Sequence, residues 1–464
     1  MSKPAPKASP AAEAAKGAES AAPPGAEPTP APAFLPEPLQ RAWNWADAQP
    51  QNKKAKVSFF GAAVCFGLFF AVTVVHVATA TRTATTPKGV VVVFTDGQVD
   101  DLLALTFLLR RSDVAVPLVV VSGVGDAHLA AAATTVRRFL CTIRREGAAG
   151  TFPAVAVGGT RTTTFPTRQG NRCDVRQEAL DNRDEWQWQA DTQWGAAALL
   201  GPATDPRCHA RGTMGVNASG VSALGRLPYF DAALRSVLAR AAPSSVVLLS
   251  LGPLTDIADY FAANEADAAK VGQLVIAGGA VQTGDVSAAK AARASPAAES
   301  NFFADPSAAN AAVSGRFGFA NVAVMPWDAV RKAGYSRDPA IWHRLMPPAD
   351  HDGSRHSATA TEWLGLALRA RLGTTPTTTF EDVARPMDLA AALTVISPRF
   401  RRHASATEAF LGVSTAGDIN GISAHGVLGQ RSNGTRRAHI VTTVDADLLW
   451  LEYFTTLRVH WPNT

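Results

Sequence analysis

"VVVVFTDGQVDDLLALTFLL", residues 90–109, sets three aspartates, Asp96, Asp100 and Asp101, between an unbroken apolar run and a leucine-rich segment of helical spacing. The run "GVVVVFT" is continuous and β-branched, the signature of a parallel strand buried on both faces. One aspartate at a helix start is explained by capping, because it accepts from free N–H groups and favours the helix dipole. Three within six residues exceed what a cap needs. Carboxylates this close repel one another and resist burial unless something neutralises them. A bound cation is the sharper expectation, and a hard, oxygen-preferring ion such as Ca²⁺ suits a site without His or Cys ligands.

Outward from this stretch, the same alternation repeats. "AVPLVVVSGV" reads as the next strand and "AHLAAAATTVRRFLCTI" as the next helix, followed by "SSVVLLSLGPL", "TDIADYFAAN", "QLVIAGGA" and "NVAVMPW". This predicts an α/β fold with a doubly wound, mainly parallel sheet over residues 88–464. Residues 160–230, rich in Trp, Asp and Gly without clear periodicity, read as a loop-rich insertion near the site. In such sheets ligands bind at the carboxyl ends of strands, where Asp96 closes the first strand.

The N-terminal part is different. Residues 1–52 are dominated by Ala, Pro, Glu and Ser, and predict a disordered tail. "VSFFGAAVCFGLFFAVTVVHVATA", residues 57–80, carries no charged side chain. As a helix it spans roughly 36 Å, enough to cross a bilayer with some tilt. Lys53, Lys54 and Lys56 precede it, which favours a cytosolic tail and an extracellular or lumenal C-terminal domain behind a transmembrane signal anchor. A signal cleaved after "ATA" is the alternative. The sequons at Asn217 and Asn433 would then face a glycosylating compartment. The net charge of +5 over 464 residues is weak, and no basic block with interleaved aromatics points to nucleic acid. Of the four cysteines, Cys141 is expected to be a buried free thiol, while Cys173 and Cys208 in the insertion could pair under oxidising conditions.

"TDGQVDD" resembles the aspartate signature of the nucleoside hydrolase family, D-T-D-P-G-x-D-D. Further segments agree in chain order: "LLSLGPLTDIA" with G-P-L-T-N-I-A, "VIAGGAVQTGD" with the M-G-G segment, and "ESNFFADPSAANAAV" with E-F-N-x-x-x-D-P-x-A-A. "VMPWDAV" is similar to the strand and Asp that come next, and "PMDLAAAL" resembles the late H-D-P-L-A segment. The resemblance implies Ca²⁺-dependent hydrolysis of the N-glycosidic bond of a ribonucleoside. Ca²⁺ would be held by Asp96, Asp101, Asp388 and the carbonyl of Leu251, with Asp96 as the base that activates water. Asp100, Asp126 and Asn301 would bind ribose hydroxyls, and Asp285 and Glu299 the 5′-hydroxyl. The resemblance also suggests a homodimer or homotetramer.

The chain departs from that pattern in several places. Phe94 stands for the signature's first Asp, and Gly97-Gln98 for its Pro-Gly, which keeps a glycine available for unusual dihedrals. Asp126 stands for an Asn, Ala277 for the Met of M-G-G, and Met387 for a His that protonates the leaving base. Met cannot donate a proton, so His128, His209 or stacking on Trp186, Trp188 and Trp194 would have to assist. These changes keep a second function open, a binding protein that retains the pocket without turnover. An aspartate-nucleophile phosphatase is excluded, because Phe94 occupies the place of its nucleophile. Trp327, Asp305 and Asp328 read as structural.

Overall fold

The computed structural model describes residues 89–145, 152–161, 227–281, 295–333, 386–415, 418–419, 422–423, 426–431 and 436–457, all within one unit, Thr85–Thr464. The tail, the apolar segment 57–80 and most of the insertion lie outside them. Among the described residues no helix is long and apolar enough to cross a membrane.

The chain alternates as its apolar periodicity dictates. It begins β1 (Gly89–Thr95), α1 (Val99–Leu109), β2 (Val114–Val121), α2 (Leu129–Arg145) and β3 (Ala154–Val157). After the insertion come α3 (Phe230–Arg240), β4 (Val246–Ser250), α4 (Thr255–Ala263), a 3₁₀ turn and β5 (Val271–Ala277). Next are α5 (Ser300–Ala304), α6 (Pro306–Val313), β6 (Val322–Met325) and α7 (Trp327–Ala333). The C-terminal part holds α8 (Met387–Ile396), α9 (Pro398–His403), β7 (Ser405–Val413), a short hairpin β8–β9 (Asp418–Ile419, Ile422–Ser423), β10 (Leu428–Arg431), β11 (Ala438–Thr443) and α10 (Ala446–Thr456).

Nine strands form one sheet in the order β10-β7-β11-β6-β5-β4-β1-β2-β3. Side chains alternate across a strand. Val91 and Val93 therefore enter one apolar core with α1, α2, α8 and α10, whereas Val92 and Phe94 enter the other with α3, α4 and α6. Both faces are covered, which is why β1 reads as an uninterrupted apolar run. Phe94 meets the Phe230 ring edge-on, so an aromatic core contact replaces the acid of the family pattern.

The parallel part agrees with the sequence reading, and the far edge adds something new. There β7 runs antiparallel to both β11 and β10. Its first four residues are exposed, so it lacks the apolar run that marks the central strands. A second difference concerns Cys141, which is disulfide-bonded, with its partner outside the described residues. Val136, Phe139, Leu140 and Ile143 form the buried stripe of α2, and helical phase leaves Cys141 only half-buried beside it. The free-thiol expectation is therefore corrected.

Strand order reverses between β1 and β4: the chain steps from β1 to β2 and β3 on one side, and from β4 to β5 and β6 on the other. Such a switch point opens a crevice beyond the carboxyl ends of the two strands. Asp96 follows β1 there, and Leu251 follows β4, its N–H bonded to the carbonyl of Phe94 at 2.8 Å.

Candidate active site

Four elements converge on this crevice. From β1 the chain turns through Gly97, whose φ of +82° is the left-handed conformation that glycine adopts readily. The turn delivers Asp100 and Asp101 on the first turn of α1. Asp101 is buried and doubly anchored: Oδ1 accepts from the Thr95 hydroxyl at 2.5 Å and Oδ2 from the Gln98 N–H at 3.0 Å. Capping therefore explains part of Asp101, as a helix start requires. It does not explain Asp388, which enters on the first turn of α8 from almost 300 residues further along the chain.

One carboxylate oxygen from each of Asp100, Asp101 and Asp388 lies within 4.8 Å of the others. Asp388 is buried, and its Oδ1 has no hydrogen-bond partner among the described residues. Burial, then Asp101, Asp100, Asp96 and Glu299, push its carboxyl well above the usual range. For Asp101 burial again leads, followed by Asp96 and Asp100. Three acids converging around a buried orphan oxygen are the chemistry of a hard cation site, and the residues present fit one.

Asp96 sits beside this cluster and is also buried. Its Oδ2 accepts from the Asp126 N–H at 2.8 Å. A Cβ at Gly125 would lie 2.0 Å from that oxygen, so the loop after β2 closes on the carboxylate only because residue 125 is glycine. Burial, then the charge of Asp126, raise the Asp96 carboxyl to about 7. Asp126 is half-buried on the same loop, with half-buried His128 two residues beyond.

The other wall is built on β4 and β5. Asn301 Nδ2 donates to the Leu251 carbonyl at 2.9 Å and to the Ala277 carbonyl at 3.0 Å, tying the two strand ends together. Glu299, the N-cap of α5, accepts from the N–H groups of Asn301, Phe302 and Gly279 at 2.8, 3.1 and 2.7 Å. Those backbone bonds occupy most of its acceptor capacity. Met387 is buried in the apolar core beside Asp388, and Trp327 packs in the same core. Asp305 caps α6 and accepts from the Thr255 hydroxyl, while Asp328 accepts from the Val281 N–H, as their structural reading expects. Asp285, His209 and the three insertion tryptophans lie outside the described residues.

Sequence reasoning missed Asp256 on the first turn of α4, buried at 1% exposure although no role was assigned to it. The signal was present: "GPLTDIA" has Asp where the family segment has Asn.

An α/β sheet with a carboxylate cluster at its switch point defines a class of sites that grip small polar ligands at the carboxyl ends of strands. Within that class, the family of inosine-uridine preferring nucleoside hydrolases matches residues 91–451, and the chain belongs to it. It is therefore an enzyme of the N-ribohydrolase type. Among solved structures it is similar to a plant nucleoside hydrolase (18% identity, 81% of this chain and 100% of that one, TM-score 0.56). It is also similar to an inosine-uridine preferring nucleoside hydrolase from Bacillus anthracis (19% identity, 79% and 98%, TM-score 0.52). A third is an inosine-guanosine nucleoside hydrolase (16% identity, 80% and 99%, TM-score 0.55). No curated protein matches the chain.

Proposed function

We propose that the chain hydrolyses ribonucleosides in a Ca²⁺-dependent way, on the non-cytosolic side of a membrane to which residues 57–80 anchor it. The observation that carries this reading is the convergence of Asp100 and Asp101 with Asp388 and its orphan Oδ1. Asp101 and Asp388 of that cluster, with Asp96 beside it and the Leu251 carbonyl, would hold the ion, which when bound lowers the pKa of an adjacent water and neutralises the acids. Asn301 already occupies one side of the Leu251 carbonyl, which leaves its second lone pair for coordination.

Asp96 accepts the proton of the attacking water. The Asp126 N–H on its Oδ2 fixes the carboxylate's orientation for that transfer. Asp100, Asp126 and the carboxamide oxygen of Asn301 bind ribose hydroxyls. Glu299 and Asp285 reach the 5′-hydroxyl, Glu299 with the acceptor capacity its backbone bonds leave. As the glycosidic bond breaks, positive charge grows on the ribose ring, and the surrounding carboxylates stabilise it. Met387 supplies no proton to the departing base.

The test is release of free base and ribose from inosine or uridine by the full-length protein. Activity should be lost on treatment with a Ca²⁺ chelator and regained on adding Ca²⁺; activity indifferent to the chelator rejects the metal reading. The bridge at Cys141 supports the compartment, since disulfides persist where conditions are oxidising. Peptide mapping of protein from its native membrane should find Cys141 bridged. Reduction should cost about 2–4 kcal/mol of stability. A free Cys141 thiol there would argue for a cytosolic domain.

A further inference from the structure

Asp256 is a buried acid near this site with no place in the proposed ligand or substrate set. Its Oδ1 accepts from the Gly159 N–H, just after β3, at 2.6 Å. The Gly159 carbonyl in turn accepts from the Gly123 N–H at 2.9 Å. Gly123 opens the loop that ends at Asp126, whose N–H holds Asp96. Asp256 is thus two hydrogen bonds from the loop that orients the proposed base.

Its surroundings are hostile to a charge. The side chain is 1% exposed, and Oδ2 is buried with no hydrogen-bond partner among the described residues. Facing it are Ser122 at the end of β2, Asp259 on its own helix, Asp305 at the start of α6, and Tyr229 just before α3. Two of these four are carboxylates. Burial and these carboxylates disfavour its charged form, while the Gly159 N–H and the Ser122 hydroxyl favour it.

We propose that Asp256 is a positioning residue that pins Gly159 and through it the Gly123–Asp126 loop against Asp96. Its effect on catalysis rests on the hydrolase reading, whereas its grip on the loop does not. Burial, ahead of the neighbouring carboxylates, raises its carboxyl to about 7. A carboxyl raised above its unfolded value stabilises fully below the unfolded value, and that contribution is lost as pH rises through about 7. The bond to Gly159 itself favours the charged carboxyl, so the grip on the loop persists when Asp256 ionises.

Asn is the neutral mimic: its Oδ1 still accepts from Gly159, and it cannot ionise. The experiment compares full-length wild type, Asp256→Asn and Asp256→Ala by amide hydrogen exchange over residues 122–126, corrected for intrinsic rates, at pH 6 and pH 8. The kcat/KM for inosine with Ca²⁺ is measured alongside. In Asp256→Ala, exchange should be roughly tenfold faster than in wild type at both pH values, with kcat/KM falling in parallel, about the effect of one lost buried hydrogen bond. Asp256→Asn, which keeps the oxygen that accepts from Gly159, should stay near wild type in both readouts. The proposal is overturned if Asp256→Asn exchanges as fast as Asp256→Ala, if Asp256→Ala leaves exchange unchanged, or if exchange responds while kcat/KM does not. Protein inactive on every riboside but with exchange behaving as described would reject the hydrolase reading and support the grip on the loop.

Discussion

Asp96→Asn lowers kcat/KM for inosine or uridine by about three to four orders of magnitude and leaves the fold and its loops in place, the expected result if Asp96 is the base. Asparagine keeps an oxygen to accept from the Asp126 N–H, so the loop after β2 has no reason to move. What disappears is the ability to take a proton, together with one charged ligand of the proposed ion, so the comparison is made at saturating Ca²⁺. Single-turnover hydrolysis separates this from slow product release, because a lost base slows the bond-breaking step itself. Hydrogen exchange over residues 122–126 should match wild type. A variant with activity within tenfold of wild type would assign the proton transfer to another group.

Asp388→Asn is expected to have opposite effects on stability and on activity. In the metal-free protein, burial and the neighbouring acids raise the Asp388 carboxyl well above its ordinary range. A group raised in this way stabilises at low pH and loses that contribution as pH rises, so removing the charge should help most in neutral and alkaline solution. With metal stripped, Asp388→Asn should melt higher than wild type by roughly several degrees at pH 8, and near wild type at acidic pH. Added Ca²⁺ should raise the melting temperature of wild type and barely move that of the variant, since differential binding is what stabilises. Hydrolysis should fall by about three orders of magnitude, as expected when a metal that activates water loses a charged ligand. Calorimetry with and without chelator checks the stability half. Equal Ca²⁺ shifts in both proteins would remove Asp388 from the ligand set.

How much of this was readable in the chain differs by element. The central strands declared themselves because a strand covered on both faces must be apolar at every position, as in Val90–Phe94. The edge strand β7 did not, since half of it faces solvent and its polar residues resemble loop. Asp96, Asp100 and Asp101 were legible because three acids at one helix start overshoot the local need. Asp388 was legible only from its place in a series of segments, because nothing in "PMDLAAAL" alone distinguishes a ligand from a cap. The bridging role of Asn301 was hidden, as its two carbonyl partners lie 24 and 50 residues away and carry no side-chain signature. Asp256 could have been found from its departure from Asn, yet its grip on Gly159 spans 97 residues and required the fold.

The tie that Asn301 makes between Leu251 and Ala277 means that one edge of the crevice is main chain rather than side chain. Leucine and alanine enter that tie only through carbonyls that every amino acid shares. A change of side chain at either position therefore leaves both oxygens of the tie where they are. The requirement falls instead on a single amide.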